Sequence, residues 1–464
     1  MRPEPIENVV LGGGEAGKYV AWELAKEGRP VVVIERALIG GSCPNIACLP
    51  SKNVIRTAQA ASLVARAAEY GIQARDVRVE MEGVRRRKRE MVNGMIAIHQ
   101  KKFAVLHLEF LLGEGRLTGA RTVEVRLADG GTRTFEAERL FLNLGTHAAV
   151  PDVPGLAAAA PLTHVEALEL GRLPSHLIVL GGGYVGVELA QAFRRLGSAV
   201  TVLEYGPQLL GREDPDVAAA VREIFEHDGI EVVTSAETTA VEGRSGESVR
   251  LRVKTPAGQR TVEGSDILAA AGRVPNTRGI GLEEAGIALD ARGYIEVDDH
   301  LQAAPSVWAM GECAGSPQFT HVAFDDFRVV RDNLAGKSRS TRDRLIPYCA
   351  FTDPELARIG LDETMAAKQG TPVRVAKLAM TSVLRARAMV ETRGFMKMLI
   401  AAESDRILGF TMLGVSAGEV LAVVQAAMLG GLPYTGLRDA IFTHPTMAEG
   451  LNVLLASVPA VRAH

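Results

Sequence analysis

The sequence predicts an α/β fold with two similar βαβ units followed by a C-terminal domain of mixed α+β structure. Three observations predict it. Near the N-terminus, a glycine-rich turn joins an apolar strand to a helical pattern, and a second buried strand then ends in Glu35. The same arrangement returns 169 residues later. From Arg344 onward, strand and helix patterns alternate without a glycine fingerprint.

Composition limits the classes of protein that this chain can belong to. A length of 464 residues suggests roughly three domains. The net charge of −3 implies no bulk attraction to nucleic acid, and no apolar run is long enough to cross a membrane. Residues 1–8 are polar and lead directly into a strand, so we expect no signal peptide. Because only four cysteines are present, a reducing cytoplasm is the expected location.

The first glycine-rich turn has the pattern of a Rossmann-like dinucleotide fingerprint. It reads GGGEAG at residues 12–17, between the strand at residues 8–11 and a helix that Gly28 ends. Glycines at such a turn let the backbone approach a pyrophosphate, and the helix N-terminus favours the negative charge. Glu35, which closes the next strand, is the acid expected to bind a ribose hydroxyl.

An internal repeat of this fingerprint predicts a second dinucleotide site. A constant offset maps Gly12, Gly14, Gly17, Gly28 and Glu35 onto Gly181, Gly183, Gly186, Gly197 and Glu204. Five matches at one offset indicate a repeated unit. Two nucleotides held by one chain suggest electron transfer between them.

Two cysteines follow the first unit in the segment GGSCPNIACLPSK, residues 40–52. In an ideal helix, residues five apart have Cα atoms roughly 8.7 Å apart, whereas a disulfide requires about 4.4–6.8 Å. Cys43 and Cys48 are therefore either unbridged or carried by a distorted first helical turn, which Pro44 would favour. Thiolates near a helix N-terminus are also stabilised and nucleophilic. The alternatives are two core cysteines or half of a zinc site, although zinc pairs are normally closer in sequence.

The segment HPTMAEG, residues 444–450, contains a candidate acid/base pair. His444 would carry the proton and Glu449 would orient the imidazole, because imidazole titrates near neutral pH. A structural histidine is the alternative interpretation.

Taken together, these motifs resemble the flavoprotein disulfide reductases of the glutathione reductase and dihydrolipoamide dehydrogenase type. The two fingerprints, the C-x4-C-x3-K stretch, GRVPN at residues 272–276 and HPTMAEG occur in the family's order over essentially the whole chain. The resemblance implies two Rossmann-like FAD/NAD(P)-binding domains and a C-terminal α+β dimerisation domain. The implied boundaries are 1–149 for the first part of the FAD domain, 150–273 for the NAD(P) domain, 274–343 for the second, central part of the FAD domain, and 344–464 for the dimerisation domain.

The resemblance also implies cofactors, FAD together with NADH or NADPH, and their ligands. The implied FAD ligands are Gly12, Gly14, Gly17, Glu35, Gly41, Ser42, Lys52, Gly145, Gly311 and Glu312. The implied NAD(P) contacts are Gly181, Gly183, Gly186, Glu204, Gly272 and Arg273. One departure concerns Glu312, because the family has Gly-Asp where this chain has Gly311-Glu312. The extra methylene puts Glu312 in doubt as a ligand.

Catalytic roles follow from the same resemblance. Cys48 is similar to the thiolate that stacks on the flavin, and Cys43 is similar to the interchange thiol that meets substrate. Lys52 and Glu188 match an ion pair beside the flavin, and Tyr184 matches the ring that gates the nicotinamide pocket. His444 and Glu449 match the pair that reaches the other subunit's disulfide, which implies a homodimer with a shared active site.

The implied electron path runs from NAD(P)H through FAD and the Cys43–Cys48 disulfide to a small disulfide or a thiophilic metal ion held by the two sulfurs. Residues 317–333 and 385–394 resemble the mercuric-reductase-like branch, especially its reactive-chlorine-response, copper-reducing members. Mercuric reductases usually carry C-terminal cysteines, which this chain lacks, and a tyrosine in place of His444. A dihydrolipoamide dehydrogenase is an alternative, but its usual second histidine is Phe442 here. A redox-sensing flavoprotein with little turnover is an alternative of another class.

Overall fold

The computed structural model describes residues 2–461. Its helices are α1 (Glu15–Lys26), α2 (Ser42–Asn45), α3 (Cys48–Ala65), α4 (Met81–Phe103), α5 (His164–Ala167), α6 (Tyr184–Leu196), α7 (Pro215–His227), α8 (Thr320–Leu334), α9 (Glu363–Lys368), α10 (Leu384–Ala388), α11 (Ala417–Leu429), α12 (Tyr434–Arg438) and α13 (Gly450–Ala456), with 3₁₀ turns at Ala67–Tyr70, Gly311–Ala314 and Met380–Ser382. Its strands are β1 (Glu4–Leu11), β2 (Val31–Glu35), β3 (Leu108–Leu117), β4 (Thr122–Leu127), β5 (Thr132–Leu142), β6 (Thr146–Ala148), β7 (His176–Leu180), β8 (Ala199–Leu203), β9 (Glu231–Val233), β10 (Glu237–Arg244), β11 (Ser248–Thr255), β12 (Gly258–Gly264), β13 (Asp266–Ala269), β14 (Arg273–Pro275), β15 (Gln302–Ala304), β16 (Val307–Ala309), β17 (Tyr348–Ala350), β18 (Glu355–Gly360), β19 (Val373–Ala379), β20 (Phe395–Ala401) and β21 (Ile407–Gly414).

The chain divides into two compact units, each built from three separate segments. The first unit contains the chain up to Asn53, Gly83–Ala149 and Gly272–Arg344. The second contains Val54–Glu82, Val150–Ala271 and the chain from Leu345 onward.

The first unit is built on a seven-stranded sheet. Strand β1 pairs in parallel with β2 and with β5, β2 continues to β3, and β16 extends the parallel part beyond β5. Strand β2 is buried along its whole length, which matches its continuous apolar sequence and is typical of a parallel strand covered on both faces. Helix α1 packs against α8 on one side of this sheet. The fingerprint turn and Glu35 therefore lie at the carboxyl ends of two adjacent strands, β1 and β2.

The second unit repeats this pattern in a smaller parallel sheet of order β13-β7-β8-β9. The repeat is visible in single hydrogen bonds: Gly12 N donates to Ile34 O over 2.8 Å, and Gly181 N donates to Leu203 O over 2.9 Å. The two donors, like the two acceptors, are 169 residues apart. The internal repeat that the sequence predicts is therefore present in the backbone.

The C-terminal segment of the second unit forms a five-stranded antiparallel sheet of order β17-β18-β21-β20-β19. Strand β21 is buried along its whole length, and α11 packs against β18 and β21 over the core of this segment. The predicted fold class is confirmed, with two Rossmann-like units and a C-terminal α+β domain.

The helical structure that follows the cysteines is short. Helix α3 ends at Ala65, and the 3₁₀ turn Ala67–Tyr70 is followed by Gly71, which has φ of 71°. The chain then runs without regular structure until α4 begins at Met81. The glycine in the left-handed conformation ends the helical run, as it does at many helix C-termini.

Candidate redox site

The first fingerprint turn brings the backbone of β1 close to the end of β5. Gly12 has φ of 99°, and a Cβ atom on it would lie 2.2 Å from Asn143 O, so only glycine fits there. The Asn143 side chain joins three segments, because its Oδ1 accepts from Gly17 N (3.0 Å) and its Nδ2 donates to Met310 O (2.8 Å). The N-cap of α1 is Gly14, whose lack of a side-chain acceptor leaves the helix end accessible to an external anion.

Glu35 lies at the end of β2, where an acid is expected to bind a ribose. Its Oε2 accepts from Gly13 N (2.9 Å), and its Oε1 accepts from the backbone N–H groups of Ala37 and Leu38 (3.0 and 3.1 Å). These bonds hold the carboxylate beside the glycine turn. A glycine cradle, an open helix N-terminus and a fixed acid fit a dinucleotide such as FAD.

The second fingerprint has the same geometry. Glu204 Oε2 accepts from Gly182 N (2.5 Å), and Oε1 accepts from Gly206 N (2.6 Å). Gly181 has φ of 108°, and a Cβ atom there would lie 2.5 Å from Ala270 O. The Gly182–Glu204 contact reproduces the Gly13–Glu35 contact, so these residues fit a second dinucleotide.

The cysteine segment is not one continuous helix. Helix α2 ends at Asn45, Ile46 has φ of −135°, and α3 begins at Cys48. Cys43 and Cys48 therefore lie on separate helical pieces, as the distorted-turn alternative predicts. Asn45 holds the preceding loop, since its Nδ2 donates to the carbonyls of Ile39 and Gly41 (2.9 and 2.7 Å).

The cysteine loop and the first fingerprint touch directly. Gly41 has φ of 80°, and a Cβ atom on it would lie 2.5 Å from Gly14 Cα. Ser42 follows as the first residue of α2 and is exposed. The two segments that the resemblance assigns to FAD are thus neighbours in the first unit.

Both cysteines are thiols in the structure, and their sulfurs interact with each other and with a threonine. The hydrogen bond with Cys48, together with burial, raises the pKa of the Cys43 thiol. Thr320 Oγ1 lies 3.2 Å from Cys48 Sγ, and a hydrogen bond from Thr320 acts on Cys43 in the opposite direction, lowering its pKa. When the pair loses one proton, this arrangement favours retention of the other proton on Cys43.

Glu312 is bound by protein groups of the first unit. Its carboxylate accepts a hydrogen bond from Thr146 Oγ1, and Arg273 Nε lies 3.2 Å from its Oε2. Gly311 N donates to Asp326 (2.7 Å), a fully buried carboxylate that also pairs with Arg344. Burial raises the pKa of Asp326, and Arg344 opposes that shift. The doubt about Glu312 thus has a structural basis, because its carboxylate already has two partners.

Three further residues assigned by the resemblance lie at segment ends of the first unit. Gly145 has φ of 65° and its carbonyl accepts from Asn276 N (3.0 Å), which ties β6 to the turn after β14. Gly272 precedes β14 with φ of 125°. Lys52 is half-buried in the first turns of α3.

Tyr184, the first residue of α6, belongs to a hydrogen-bond network in the second unit. Its hydroxyl donates to Glu213 Oε1 over 2.6 Å, and Tyr348 donates to the same oxygen over 2.8 Å. Arg358 also pairs with Glu213 and donates to the hydroxyl of Tyr348. Burial and the charge of Glu213 raise the pKa of Tyr184. On the same helix, the buried Glu188 accepts from Phe351 N (2.8 Å).

His444 and Glu449 form the contact that their spacing suggests. The His444 Nδ1 lies 2.9 and 3.0 Å from the two carboxylate oxygens of Glu449. If Nδ1 donates to Glu449, Nε2 is the atom that can exchange a proton with a substrate. The imidazole is 61% exposed, so Nε2 is accessible from outside the chain.

The acids that could together hold a metal ion are already occupied by a lysine. Within the described part of the chain, Asp214, Asp216 and Glu363 form such a group. Lys397, which is fully buried, places its Nζ 2.7, 2.8 and 2.8 Å from these three carboxylates. The lysine supplies the charge that a cation would supply.

Sequence reasoning misses Asn143, Thr320 and Glu213. Asn143 follows the last apolar residue of β5 and belongs to no recognisable motif. Thr320 begins α8 and lies within the segment 317–333, but the resemblance of that segment assigns it no role. Glu213 follows the second fingerprint acid by nine positions, at the end of a loop. The position of Asn143 directly after a strand is the one local signal among the three.

Two family models match the chain. The model for pyridine nucleotide-disulphide oxidoreductases matches residues 7–326, and the model for the dimerisation domain of the same enzymes matches residues 346–454. Among residues 2–461, no helix is both long and apolar enough to span a membrane.

Individual proteins are similar over nearly the whole chain. The probable pyridine nucleotide-disulfide oxidoreductase RclA of Escherichia coli is 36% identical over 460 residues, which cover 97% of this chain and 98% of RclA. A mercuric reductase of Streptomyces lividans is 34% identical over 96% of this chain and 94% of its own length. A solved structure of E. coli RclA, described as the Cu(II) complex of an HOCl-induced flavoprotein disulfide reductase, has a TM-score of 0.89 and 34% identity, and the match covers 99% of this chain and 100% of that chain.

Proposed function

The chain belongs to the pyridine nucleotide-disulphide oxidoreductase family, and from this membership we propose that it is an FAD-dependent NAD(P)H oxidoreductase whose Cys43–Cys48 disulfide passes electrons to a disulfide or a thiophilic metal ion. Members of this family depend on FAD and a pyridine nucleotide. The carrying observation is the broken helix that contains both cysteines, in contact with an open dinucleotide cradle.

FAD fits the first unit, and the proposed ligands lie in residues 1–149 and 274–343. The glycines of the first fingerprint and the N-terminus of α1 would hold the diphosphate, and Glu35 would accept from the adenosine ribose. FAD, when bound, supplies the ring that accepts a hydride and delivers an electron pair to the disulfide. Gly41, Ser42, Lys52, Gly145 and Gly311 complete the proposed set, and Glu312 stays a weaker candidate because Thr146 and Arg273 bind it.

The pyridine nucleotide is proposed to bind residues 150–273, at the second fingerprint, with Gly272 and Arg273 at its exit. Glu204 would accept from the ribose 2′-hydroxyl, and a 2′-phosphate would meet its negative charge. We therefore propose NADH as the preferred donor, with NADPH as the alternative. Tyr184 would gate the nicotinamide, as the resemblance implies.

The electrons and protons of the dithiol step balance with NAD(P)H as the only reductant. NAD(P)H supplies two electrons, and the Cys43–Cys48 disulfide takes them with two protons to become two thiols. With a disulfide substrate, Cys43 sulfur attacks, a mixed disulfide forms, and Cys48 sulfur then displaces the second substrate thiol. With copper(II), two ions are reduced to copper(I) as the Cys43–Cys48 bond forms again and two protons leave.

His444 is proposed to move the protons of this exchange. Its Nδ1 is directed at Glu449, so Nε2 can take a proton from one sulfur and return it to a leaving thiolate. His444 and Glu449 match a family pair that acts on the cysteines of the other subunit. The proposed enzyme is therefore a homodimer with a shared active site. The match of a dimerisation-domain model to residues 346–454 supports that arrangement.

Two comparisons favour a metal ion among the proposed substrates. One relative is a mercuric reductase, and one similar structure is described as a Cu(II) complex. Two sulfurs that interact with each other offer soft ligands to such ions. A dithiol regenerated by NAD(P)H suits the cytoplasm, which we propose as the location.

A substrate panel tests this proposal. Oxidation of NADH by the FAD-loaded protein would be followed at 340 nm with small disulfides, lipoamide, copper(II) and mercury(II). Turnover that requires both Cys43 and Cys48 is expected with at least one substrate. NADH oxidation that is unchanged in Cys43→Ser and Cys48→Ser variants, or that is absent with every substrate, would contradict it.

A further inference from the structure

A buried cation lies in the first turn of α1, where a positive charge is unfavourable. Lys18 is 5% exposed, and its Nζ lies 2.7 Å from Glu15 Oε2 and 3.4 Å from Gly40 O. A helix N-terminus carries a partial positive charge, so it repels a nearby ammonium group. Burial adds a desolvation cost. The position of Lys18 therefore needs a compensating anion.

A histidine of α4 fixes the lysine. His99 Nδ1 lies 2.8 Å from Met95 O, so Nδ1 donates to this carbonyl and Nε2 is left as an acceptor, 3.3 Å from Lys18 Nζ. Burial lowers the pKa of His99, which favours the neutral, accepting ring. Lys18 is thus held by a carboxylate, a carbonyl and an imidazole.

Glu15 occupies the same helix end as the proposed diphosphate. It is the first residue of α1, directly after the N-cap Gly14. A carboxylate there would repel a second anion if it were unpaired. Because Lys18 pairs with it, the pair carries no net charge and the helix dipole remains available to an external anion.

The same pair borders the cysteine loop. Gly40, whose carbonyl accepts from Lys18, precedes Gly41, and Gly41 touches the backbone of Gly14. The charge of Glu15 also contributes to the raised pKa of Cys43. An unpaired Glu15 would therefore disturb both the dinucleotide cradle and the redox pair.

We propose that Lys18 is a positioning residue for the cofactor: it neutralises Glu15 so that the N-terminus of α1 can hold the diphosphate of FAD. This inference rests on the proposed FAD site and adds a residue outside its fingerprint. Lys18 acts through Glu15, which explains why a buried lysine is tolerated at a helix N-terminus.

Four variants of the full-length holoenzyme test the inference. Lys18→Met removes the cation, Glu15→Gln removes the carboxylate charge, and the double variant removes both. Lys26→Met is the matched control, because Lys26 is exposed at the other end of α1. The readout is the rate of FAD release after dilution, followed by the rise in free-flavin fluorescence, with the melting temperature recorded in parallel.

Lys18→Met is expected to release FAD about tenfold faster than wild type, a size typical of a partly buried charge at a helix end. Glu15→Gln should release it no faster, and the double variant should return to within about twofold of wild type. Lys26→Met should leave release unchanged.

Two results would overturn the inference. One is release that is equally fast in Lys18→Met and in the double variant, which would mean that Lys18 acts through packing alone. The other is unchanged release in Lys18→Met. Wild-type protein that retains no FAD would instead contradict the proposed function, so the two failures are distinguishable.

Discussion

The Sγ of Cys48 lies 3.2 Å from the Oγ1 of Thr320, and each residue is the first of its helix, α3 or α8. Two helix N-termini therefore meet at one sulfur. Helix N-termini stabilise anions, and this effect makes thiolates more populated and more reactive. The contact gives a physical reason why a negative charge would be stable on Cys48.

Replacing Thr320 with valine should make the reduced pair less acidic. The Thr320 hydrogen bond opposes the rise in the pKa of Cys43, so its loss raises that pKa further and reduces the small fraction of Cys43 that is thiolate. Alkylation of Cys43 by iodoacetamide in the reduced protein should slow by up to about tenfold, which corresponds to one pKa unit. Thr320→Ser is the control and should react like wild type. Equal rates in all three proteins would show that the hydroxyl does not affect the thiols.

The two cysteines should differ spectroscopically. Reduction of the FAD-loaded protein should produce a long-wavelength absorbance band from the Cys48 thiolate beside the flavin. Cys43→Ser should keep the band, because the proposed interchange thiol is not its source. Persistence of the band in Cys48→Ser would reverse the assignment of the two cysteines.

The nucleotide preference should depend on Glu204. Its two backbone hydrogen bonds fix a carboxylate at the end of β8, so kcat/KM should be higher for NADH than for NADPH. Glu204→Ala should reduce the NADH/NADPH ratio by about tenfold or more, because a hydrogen bond to a charged group is lost and a repulsion is removed. Glu226→Ala, an exposed acid on α7, is the control. A wild-type preference for NADPH would contradict this prediction.

Stability should fall at low pH partly through Asp214. Although burial opposes the shift, hydrogen bonds from Lys397 and Thr364 lower the pKa of Asp214 to about 2. The unfolded value is about 3.9, so this carboxylate stabilises the fold above pH about 4, and the contribution is lost as pH falls toward 2. Asp214→Asn should lower the melting temperature at pH 7 and narrow the difference from wild type near pH 2. A constant difference between these pH values would contradict the assignment.

Sequence patterns were sufficient for the parts of the site that depend on local geometry. The fingerprint glycines are needed because Gly12 and Gly181 have positive φ, and a Cβ atom on either would clash with the backbone just after β5 or β13. Glu35 and Glu204 end strands at equivalent positions of the repeat, so their placement follows from the strand register. The fold class was predictable for the same reason. It follows from the repeated glycine fingerprint and from the change of pattern at Arg344, after which no fingerprint occurs.

Other parts depend on contacts between distant segments. Thr320 meets Cys48 across 272 positions, and Asn143 meets Gly17 across 126. The hydrophobic periodicity of a sequence indicates local helices and strands. It does not indicate which distant segments come into contact in the folded protein. The cysteine segment is intermediate. Helix geometry left open whether the pair is unbridged or carried by a distorted turn, and the structure shows both, because the helix breaks after Asn45 and both cysteines are thiols.

The role of His444 separates the two classes of substrate. General acid/base catalysis increases reaction rates by about 10²–10⁴-fold, and each step of thiol–disulfide exchange requires a proton transfer. His444→Ala should therefore lower disulfide turnover steeply, whereas copper(II) or mercury(II) turnover should fall less, since thiolates bind these ions directly. Reduction of the flavin by NADH should persist. Small and equal losses for both classes would mean that His444 is structural.

The most direct test of the proposed function is a thiol count on the protein before and after anaerobic reduction by NADH. The FAD-loaded, oxidised protein would be denatured and titrated with a thiol reagent, with and without one equivalent of NADH per chain. NADH should expose two additional thiols, at Cys43 and Cys48. In a Cys43→Ser variant, which cannot form this disulfide, NADH should add no thiol to the count. An unchanged thiol count after complete oxidation of NADH would contradict the account, because the electrons would then bypass the cysteine pair.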